Sequence, residues 1–378
     1  MRLHPLASAV AFVVLASACS EGPADAPPND DAGDAATHED VGSGRAWSAT
    51  TPLAVARLGH SATALADGRV LVVGGSAGLC PGDATSALAS VELLGPDGVS
   101  AAAPLQRARM FHAAARLSTG AVLVAGGRSD GITVEVAERY DADADRWSDA
   151  GATRAAGPWI LLAPLGDGRA LAVGWPGADG HAVIDIHDGE AWTPGPELPF
   201  DAGPSALAPL ADGRVALVGR DSAWLVSADG TELAPMAGAP TLRDAPGAAA
   251  FLGASVLVVA SHETGDFTEA GPVVGTAAFR WDASGARWET IGATPFDGSK
   301  LEAVALPDGR ALARSGYGAW HRFDASAGWE ALPGYGAAQE GPVVGLSDGA
   351  LLVVGGAGTP TCKAIADVRR LAPDARRD

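Results

Sequence analysis

A seven-bladed β-propeller is the fold this sequence predicts, and three observations predict it. One short hairpin motif recurs seven times. A second half-motif ending in an aromatic residue follows most copies. Composition then excludes the main rivals: of 378 residues, 47% are hydrophobic and only 19% charged, with 50 Gly and 26 Pro. That balance suits an all-β body rich in turns rather than a disordered chain or a helical bundle.

The motif is clearest in Leu65-Ala-Asp-Gly-Arg-Val-Leu-Val-Val-Gly-Gly75. It returns as Leu117 to Gly127, Leu165 to Trp175, Leu210 to Arg220, Leu306 to Gly316 and Leu346 to Gly356, with a degenerate copy from Phe251 to Ser261. The turn residues Asp67, Thr119, Asp167, Asp212, Ala254, Asp308 and Asp348 lie 40 to 54 residues apart, a spacing typical of stacked supersecondary units. Asp-Gly between two β-prone runs predicts a tight hairpin, because Gly supplies the positive φ the turn needs. The run before it is made of small residues, as in His60-Ser-Ala-Thr-Ala-Leu65. The run after it, such as Val70 to Val73, is continuously apolar and reads as a strand buried on both faces. The Gly-Gly that follows lets the backbone turn close to a neighbouring chain.

The half-motif supplies the outer strands. Tyr140-Asp141 precedes Trp147, His187-Asp188 precedes Trp192, Trp281-Asp282 precedes Trp288 and Phe323-Asp324 precedes Trp329. Each reads as strand, turn, and a strand opening with Trp, whose bulk fills the gap between sheets. Two hairpins make four strands, which is one blade. The seventh unit ends one strand short. Arg45-Ala-Trp47-Ser48 matches Asp145-Arg-Trp147-Ser148, so Trp47 to Leu53 is expected to join the last blade and close the ring.

Taken together, His-Ser-Ala-Thr, Asp-Gly-Arg-Val-Leu-Val-Val-Gly-Gly and Tyr-Asp…Trp resemble the Kelch repeat, from Trp47 to about Pro373. The Gly-Gly is replaced in four middle copies by Gly174-Trp175, Gly219-Arg220, Ala260-Ser261 and Ser315-Gly316.

The N-terminus speaks to the compartment. Arg2 precedes a 13-residue small and apolar run, Leu6 to Ala18, too short for a stable membrane span and suited to a signal-peptide core. Ala16-Ser17-Ala18-Cys19 resembles a bacterial lipobox, which implies acylation of Cys19; an ordinary signal peptide is the second reading. Residues 1–18 are thus expected to be the signal, 19–45 an unstructured Ala/Asp/Gly/Pro tether and 46–378 the propeller. The tether spans roughly 28 Å as a flexible coil. Resemblance to Gram-negative lipoproteins with Ser after the cysteine implies the outer membrane, with a periplasmic or secreted protein as the alternative. A net charge of −19 disfavours nucleic acid and anionic lipid surfaces, leaving the lipid as the expected membrane contact and a monomer as the expected state.

Cys80 and Cys362 fall in equivalent loops of the first and seventh units. In an exported protein they are expected to pair; two free loop thiols are the other reading.

Candidate ligand-binding residues follow from repeat position. Arg57 and His60 align with Arg109 and His112 ahead of the inner strands, where they either grip a ligand at the mouth or brace neighbouring loops. Arg154 extends this pattern without a His. Arg128, Trp175 and Arg220 follow the second strand in successive units and compose a possible stacking platform. Asp141-Ala-Asp-Ala-Asp145 begins like a calcium loop but lacks its Gly and its final acid, so no metal or other cofactor is expected. Neither a phosphate loop nor a nucleophile elbow is present. The expected function is therefore non-catalytic: a cell-envelope binding or scaffold protein whose mouth holds a protein, peptide or glycan. The alternative is a degenerate Kelch-like enzyme, carbohydrate-active or galactose-oxidase-like. The oxidase branch needs two Tyr, two His and a Cys cross-linked to one Tyr, whereas only Tyr140, Tyr317 and Tyr335 occur here.

Overall fold

The computed structural model describes residues 10–11, 47–78, 86–157, 160–175, 181–198, 206–219, 222–240, 242, 248–252, 255–268, 271–282, 286–296, 301–315, 320–333, 339–358 and 363–373. They form seven sheets of antiparallel strands arranged in a ring, with one 3-10 turn at Gly166–Gly168 as the helical content.

From inside to outside, blade 1 is Ser61–Ala64, Val70–Val73, Val91–Gly95 and Gly98–Ala102. Blade 2 is Ala113–Arg116, Val122–Ala125, Val136–Asp141 and Arg146–Ala152. Blade 3 is Leu161–Pro164, Ala170–Gly174, Val183–His187 and Trp192–Pro194. Blade 4 is Ala206–Pro209, Val215–Val218, Ala223–Val226 and Leu233–Pro235. Blade 5 is Ala248–Leu252, Ser255–Thr268, Gly271–Asp282 and Arg287–Ala293. Blade 6 is Leu301–Ala305, Ala311–Ser315, His321–Asp324 and Gly328–Ala331. Blade 7 joins Val343–Gly345, Leu351–Gly358 and Lys363–Leu371 to an outer strand from the other end of the chain, Trp47–Ala49. Trp47 stands opposite Leu371 and Ala49 opposite Arg369, so the ring closes as the sequence predicts.

Seven principal apolar clusters hold the ring, one per blade junction. The cluster between blades 1 and 2 is representative: Leu71, Val73 and Leu93 meet Ala114, Val124, Tyr140 and Trp147. Blade faces are buried against each other, which is why the second strands are apolar on both sides. The half-motifs pair as expected, with Tyr140 opposite Trp147, His187 opposite Trp192, Trp281 opposite Trp288 and Phe323 opposite Trp329.

The hairpin turn follows the expectation, and one strand pair runs beyond it. The Asp-Gly hairpin is a three-residue loop, Ala66-Asp67-Gly68, closed by Leu65 N–H to Arg69 O (2.8 Å) and Gly68 N–H to Leu65 O (3.2 Å), with Gly68 at φ +86°. In blade 5 the second and third strands run far beyond the blade as a two-stranded ribbon, paired out to Thr268 and Gly271.

The loops between second and third strands, and from each outer strand to the next inner strand, share one face, called the upper face below. The Asp-Gly loops lie on the lower face. Val10–Ala11 lies antiparallel to the inner strand of blade 2, within the ring. Among the described residues no helix is long and apolar enough to cross a membrane.

Candidate functional site

The segments leading into the inner strands of blades 1 to 3 carry the predicted Arg and His residues. The structure places Arg57, His60, Arg109 and His112 inside the wall, each 2% exposed or less. The Arg57 guanidinium pairs with Glu92 and also donates to Gly74 O (2.8 Å) and Ser90 O (3.0 Å). Arg109 repeats this with Glu138 (2.8 Å), Gly126 O (3.1 Å) and Val136 O (2.9 Å). Arg154 pairs with Asp185 (2.5 Å), although its own side chain stays half exposed.

Each acid does two jobs. Glu92 accepts from the backbone N–H groups of Ala54 (2.6 Å) and Val55 (3.3 Å). Glu138 accepts from those of Gln106 (2.6 Å) and Arg107 (3.2 Å). Asp185 accepts from Arg154 N–H (2.7 Å) and the Thr153 hydroxyl (2.8 Å). A buried carboxylate thus satisfies lead-in backbone that would otherwise be unpaired, and the Arg neutralises it. Glu92, Glu138 and Asp185 went unremarked in the sequence. Their signal is an acid at the second or third position of the third strand, present in the same units that carry the lead-in Arg.

The histidines tie one blade to the one before it. His60 Nε2–H donates to Val354 O in blade 7 (3.0 Å), and His112 Nε2 lies 2.9 Å from the Ser61 hydroxyl in blade 1. Burial, with the nearby Arg57 charge, pushes His60 down to about 3, and burial does the same in direction for His112. Both imidazoles are neutral at pH 7. The Gly-Gly pairs make this contact possible. A Cβ on Gly74 would sit 2.5 Å from Arg109 O, and one on Gly127 would sit 2.6 Å from Met110 O. Gly75 N–H donates to Arg109 O (2.9 Å) and Gly356 N–H to Arg57 O (2.9 Å).

Among the described residues, blades 4 to 6 show no such brace. The positions in register with Glu92, Glu138 and Asp185 are Trp224, Phe279 and His321. His321 meets Phe296 of its lead-in segment at 5.2 Å between ring centroids, so an aromatic contact stands where the ion pair stood. Blade 6 also carries charge where other blades are aliphatic. Arg314, in register with Val73, is buried, bonds Glu302 (2.8 Å) and stacks over Trp320 at 4.5 Å.

Other predicted residues separate. Arg128 is exposed on a hairpin above blade 2, formed by Arg128–Ser129 and Ile132–Thr133. Asp130 and Gly131 turn it with φ +50° and +76°, and Ile132 is 71% exposed at its end. Trp175 is half-buried beside blade 3. Arg220, Cys19, Cys80 and Cys362 lie outside the described residues. Asp141 and Asp145 form the blade 2 turn: Asp141 accepts from Asp143 and Ala144 N–H, and Asp145 accepts from the Tyr140 hydroxyl (2.7 Å) and from Ala103 N–H (2.9 Å).

The fold and these junctions define a seven-bladed β-propeller whose blades are braced unequally. No protein-family model matches the sequence, and no curated protein matches it. Among solved structures the chain is similar to a fungal alcohol oxidase of the AA5 family in complex with copper, at 13% identity over 87% of this chain and 76% of that one (TM-score 0.64). It is also similar to virginiamycin B lyase from Staphylococcus aureus, at 12% identity over 86% and 99% (TM-score 0.56). At these identities the likeness is one of fold.

Proposed function

We propose that the chain is a Kelch-type binding or scaffold module of the cell envelope, exported by residues 1–18, acylated at Cys19 and carried on the 19–45 tether. One observation carries the reading. The side chains of Arg57, His60, Glu92, Arg109, His112 and Glu138, which could do proton or anion chemistry, are engaged inside the wall, while blade 2 presents Arg128 and Ile132 outward on a paired hairpin. Exposed apolar and Arg side chains on a fixed support suit partner recognition. The partner is a protein, peptide or glycan met at the upper face, and Cys80–Cys362 bridges the first and last blades above the closure.

Pulldown from envelope extracts with the exported protein tests this. A partner retained by the wild type and lost with Ile132→Asp supports it; equal retention by both overturns the role of that hairpin. Cys19→Ser should shift the protein out of the membrane fraction. Alkylation without reductant should leave Cys80 and Cys362 unmodified.

An enzyme is the second reading, and the fold likeness to the alcohol oxidase and the lyase keeps it in view. Of the tyrosines a copper-radical site would need, Tyr140 is buried and bonded to Asp145, whereas Tyr317 and Tyr335 lie outside the described residues. Peroxide production by copper-loaded protein would favour the oxidase.

A further inference from the structure

We propose that Asp130 is a self-modification site: the Gly131 nitrogen captures its side-chain carboxyl, and the isoaspartate that results dismantles the hairpin above blade 2. Asp-Gly is the sequence prone to this reaction, because glycine has no side chain to keep its nitrogen away from the preceding carboxyl. The chain holds eleven Asp-Gly pairs, of which Asp179-Gly180 and Asp297-Gly298 lie outside the described residues. In six of the other nine both reacting groups are held. The carboxylates of Asp67, Asp188, Asp212, Asp229, Asp308 and Asp348 each accept from the backbone N–H two residues on. The glycine nitrogens that follow them donate at 2.9 to 3.2 Å, five to backbone carbonyls and Gly189 to His187 Nδ1. At Asp167 the carboxylate pairs with Arg169 (3.4 Å) and Gly168 is buried. At Asp97 the following Gly98 opens the outer strand of blade 1, opposite Gly95. Asp130-Gly131 has none of these restraints. Both residues are exposed, and neither the carboxylate nor the glycine nitrogen has a hydrogen-bond or ion-pair partner among the described residues. A Cβ on Gly131 would meet nothing within 4 Å, so the approach is open.

The reaction balances without an oxidant or a second protein. The Gly131 nitrogen bonds to Asp130 Cγ and loses its proton. One carboxyl oxygen leaves as water, carrying that proton and one from solvent. Water then opens the ring so formed. Attack at the main-chain carbonyl of Asp130 leaves the chain running through Cγ, one carbon longer than before. The hairpin has no room for that atom. Its two-residue turn needs positive φ at both positions, here +50° and +76°, to bring Ser129 opposite Ile132 and Arg128 opposite Thr133. A longer turn breaks this register and moves Ile132, so the modification removes the partner contact; that last step rests on the binding reading above.

Ageing the exported protein in water enriched in heavy oxygen tests the chemistry. Trypsin then cuts after Arg128 and Arg139 and releases residues 129–139, in which Asp130 is the only Asp. Mass and fragmentation spectra should show heavy oxygen and isoaspartate at Asp130 several-fold ahead of the other eight described Asp-Gly pairs. In urea, where the fold no longer protects, all of them should convert alike. Equal conversion of all nine in the folded protein, or none at Asp130 while the urea sample converts, would overturn the proposal. Asp130→Gly keeps a turn of this type and has no carboxyl to react. Aged wild type should lose the envelope partner that fresh wild type retains, whereas aged Asp130→Gly should keep it. Retention by both aged proteins, or loss by both, would overturn the link to the partner. If Asp130 converts but Ile132→Asp still retains the partner, the binding reading has failed and the modification stands.

Discussion

Blades 1 to 3 and blades 4 to 6 share one strand plan but are locked at their upper edges by different chemistry. The first three place a carboxylate in the third strand, cap the lead-in backbone with it and neutralise it with a lead-in Arg. The next three fill the same register position with Trp224, Phe279 and His321. A charged brace demands one geometry, because an unpaired buried ion is costly. An aromatic contact tolerates shifts of its partner. The lost Gly-Gly pairs fall on the same side of the divide or at its border. Blades 1 to 3 thus carry a brace whose geometry is set by its charges, and the middle blades carry aromatic side chains at the same position.

The largest effect expected is at the closure of the ring, where blade 7 meets blade 1. Trp47 Nε1–H donates to Pro333 O (2.7 Å), Leu53 N–H donates to Ala366 O (2.8 Å), and Leu53 is buried between blades 7 and 1. Deleting residues 20–55 removes all of this and bares the edge of Lys363–Leu371. Deleting 20–42 removes none of it. Thermal unfolding should show a large drop for the first deletion and none for the second; equal drops would deny that this strand closes the ring.

Next comes the brace itself. Glu138→Gln leaves Arg109 buried without a counter-charge and should cost about 3–5 kcal/mol in urea unfolding. Glu289→Gln breaks the Arg280 pair of blade 5, whose side chains are 32% and 31% exposed, and should cost only a small fraction of that loss. Similar losses at both sites would erase the distinction between the two halves.

Much of this architecture was legible, for a physical reason. Asp-Gly loops and double-buried strands impose composition on contiguous residues, so seven copies were visible even where single letters drifted. The lead-in Arg and His were visible too, by alignment. Their location was harder to read, because whether an Arg faces a mouth or a wall depends on an acid 29 to 35 residues away in sequence, and Glu92 or Glu138 has no flanking motif. The ribbon of blade 5 left no trace for a related reason. Strand formation beyond a blade depends on cross-strand pairing, here Glu263 with Val274 and Phe267 with Pro272, more than on intrinsic preference.

The histidines separate the halves by pH. His60 and His112 are neutral in the fold because burial holds their proton affinity down, to about 3 for His60. In the unfolded chain they take up a proton below the ordinary value near 6.5. The unfolded state then binds more protons, so stability falls as pH drops below about 6.5, and the His60 contribution keeps falling until pH is near 3. Each histidine should contribute up to ~1.4 kcal/mol per pH unit in that window. Unfolding measured between pH 5 and 6.5, above the range of most carboxylates, should be less pH-dependent in His60→Gln, whose amide can still donate to Val354 O. An unchanged slope would mean that His60 is solvated and charged in the fold.

The smallest difference concerns the outer strands. Trp147 Nε1–H donates to Ala103 O in blade 1 (2.8 Å), latching blade 2 to its predecessor as Trp47 latches blade 7 to blade 6. The matching Trp329 in blade 6 packs on Phe296 (5.5 Å) and Phe323 (5.0 Å), but its buried Nε1–H has no hydrogen-bond partner among the described residues. Trp→Phe removes the donor from both and keeps most of the ring. Trp147→Phe should therefore lose about 1 kcal/mol for the missing bond beyond the cost of the smaller ring, while Trp329→Phe should lose only the packing, partly offset by relief of an unsatisfied N–H. Because the substitution is the same and both residues open an outer strand opposite an aromatic, the difference between the two isolates the latch. A difference of zero would mean that the Trp147 latch adds nothing beyond the packing of its ring.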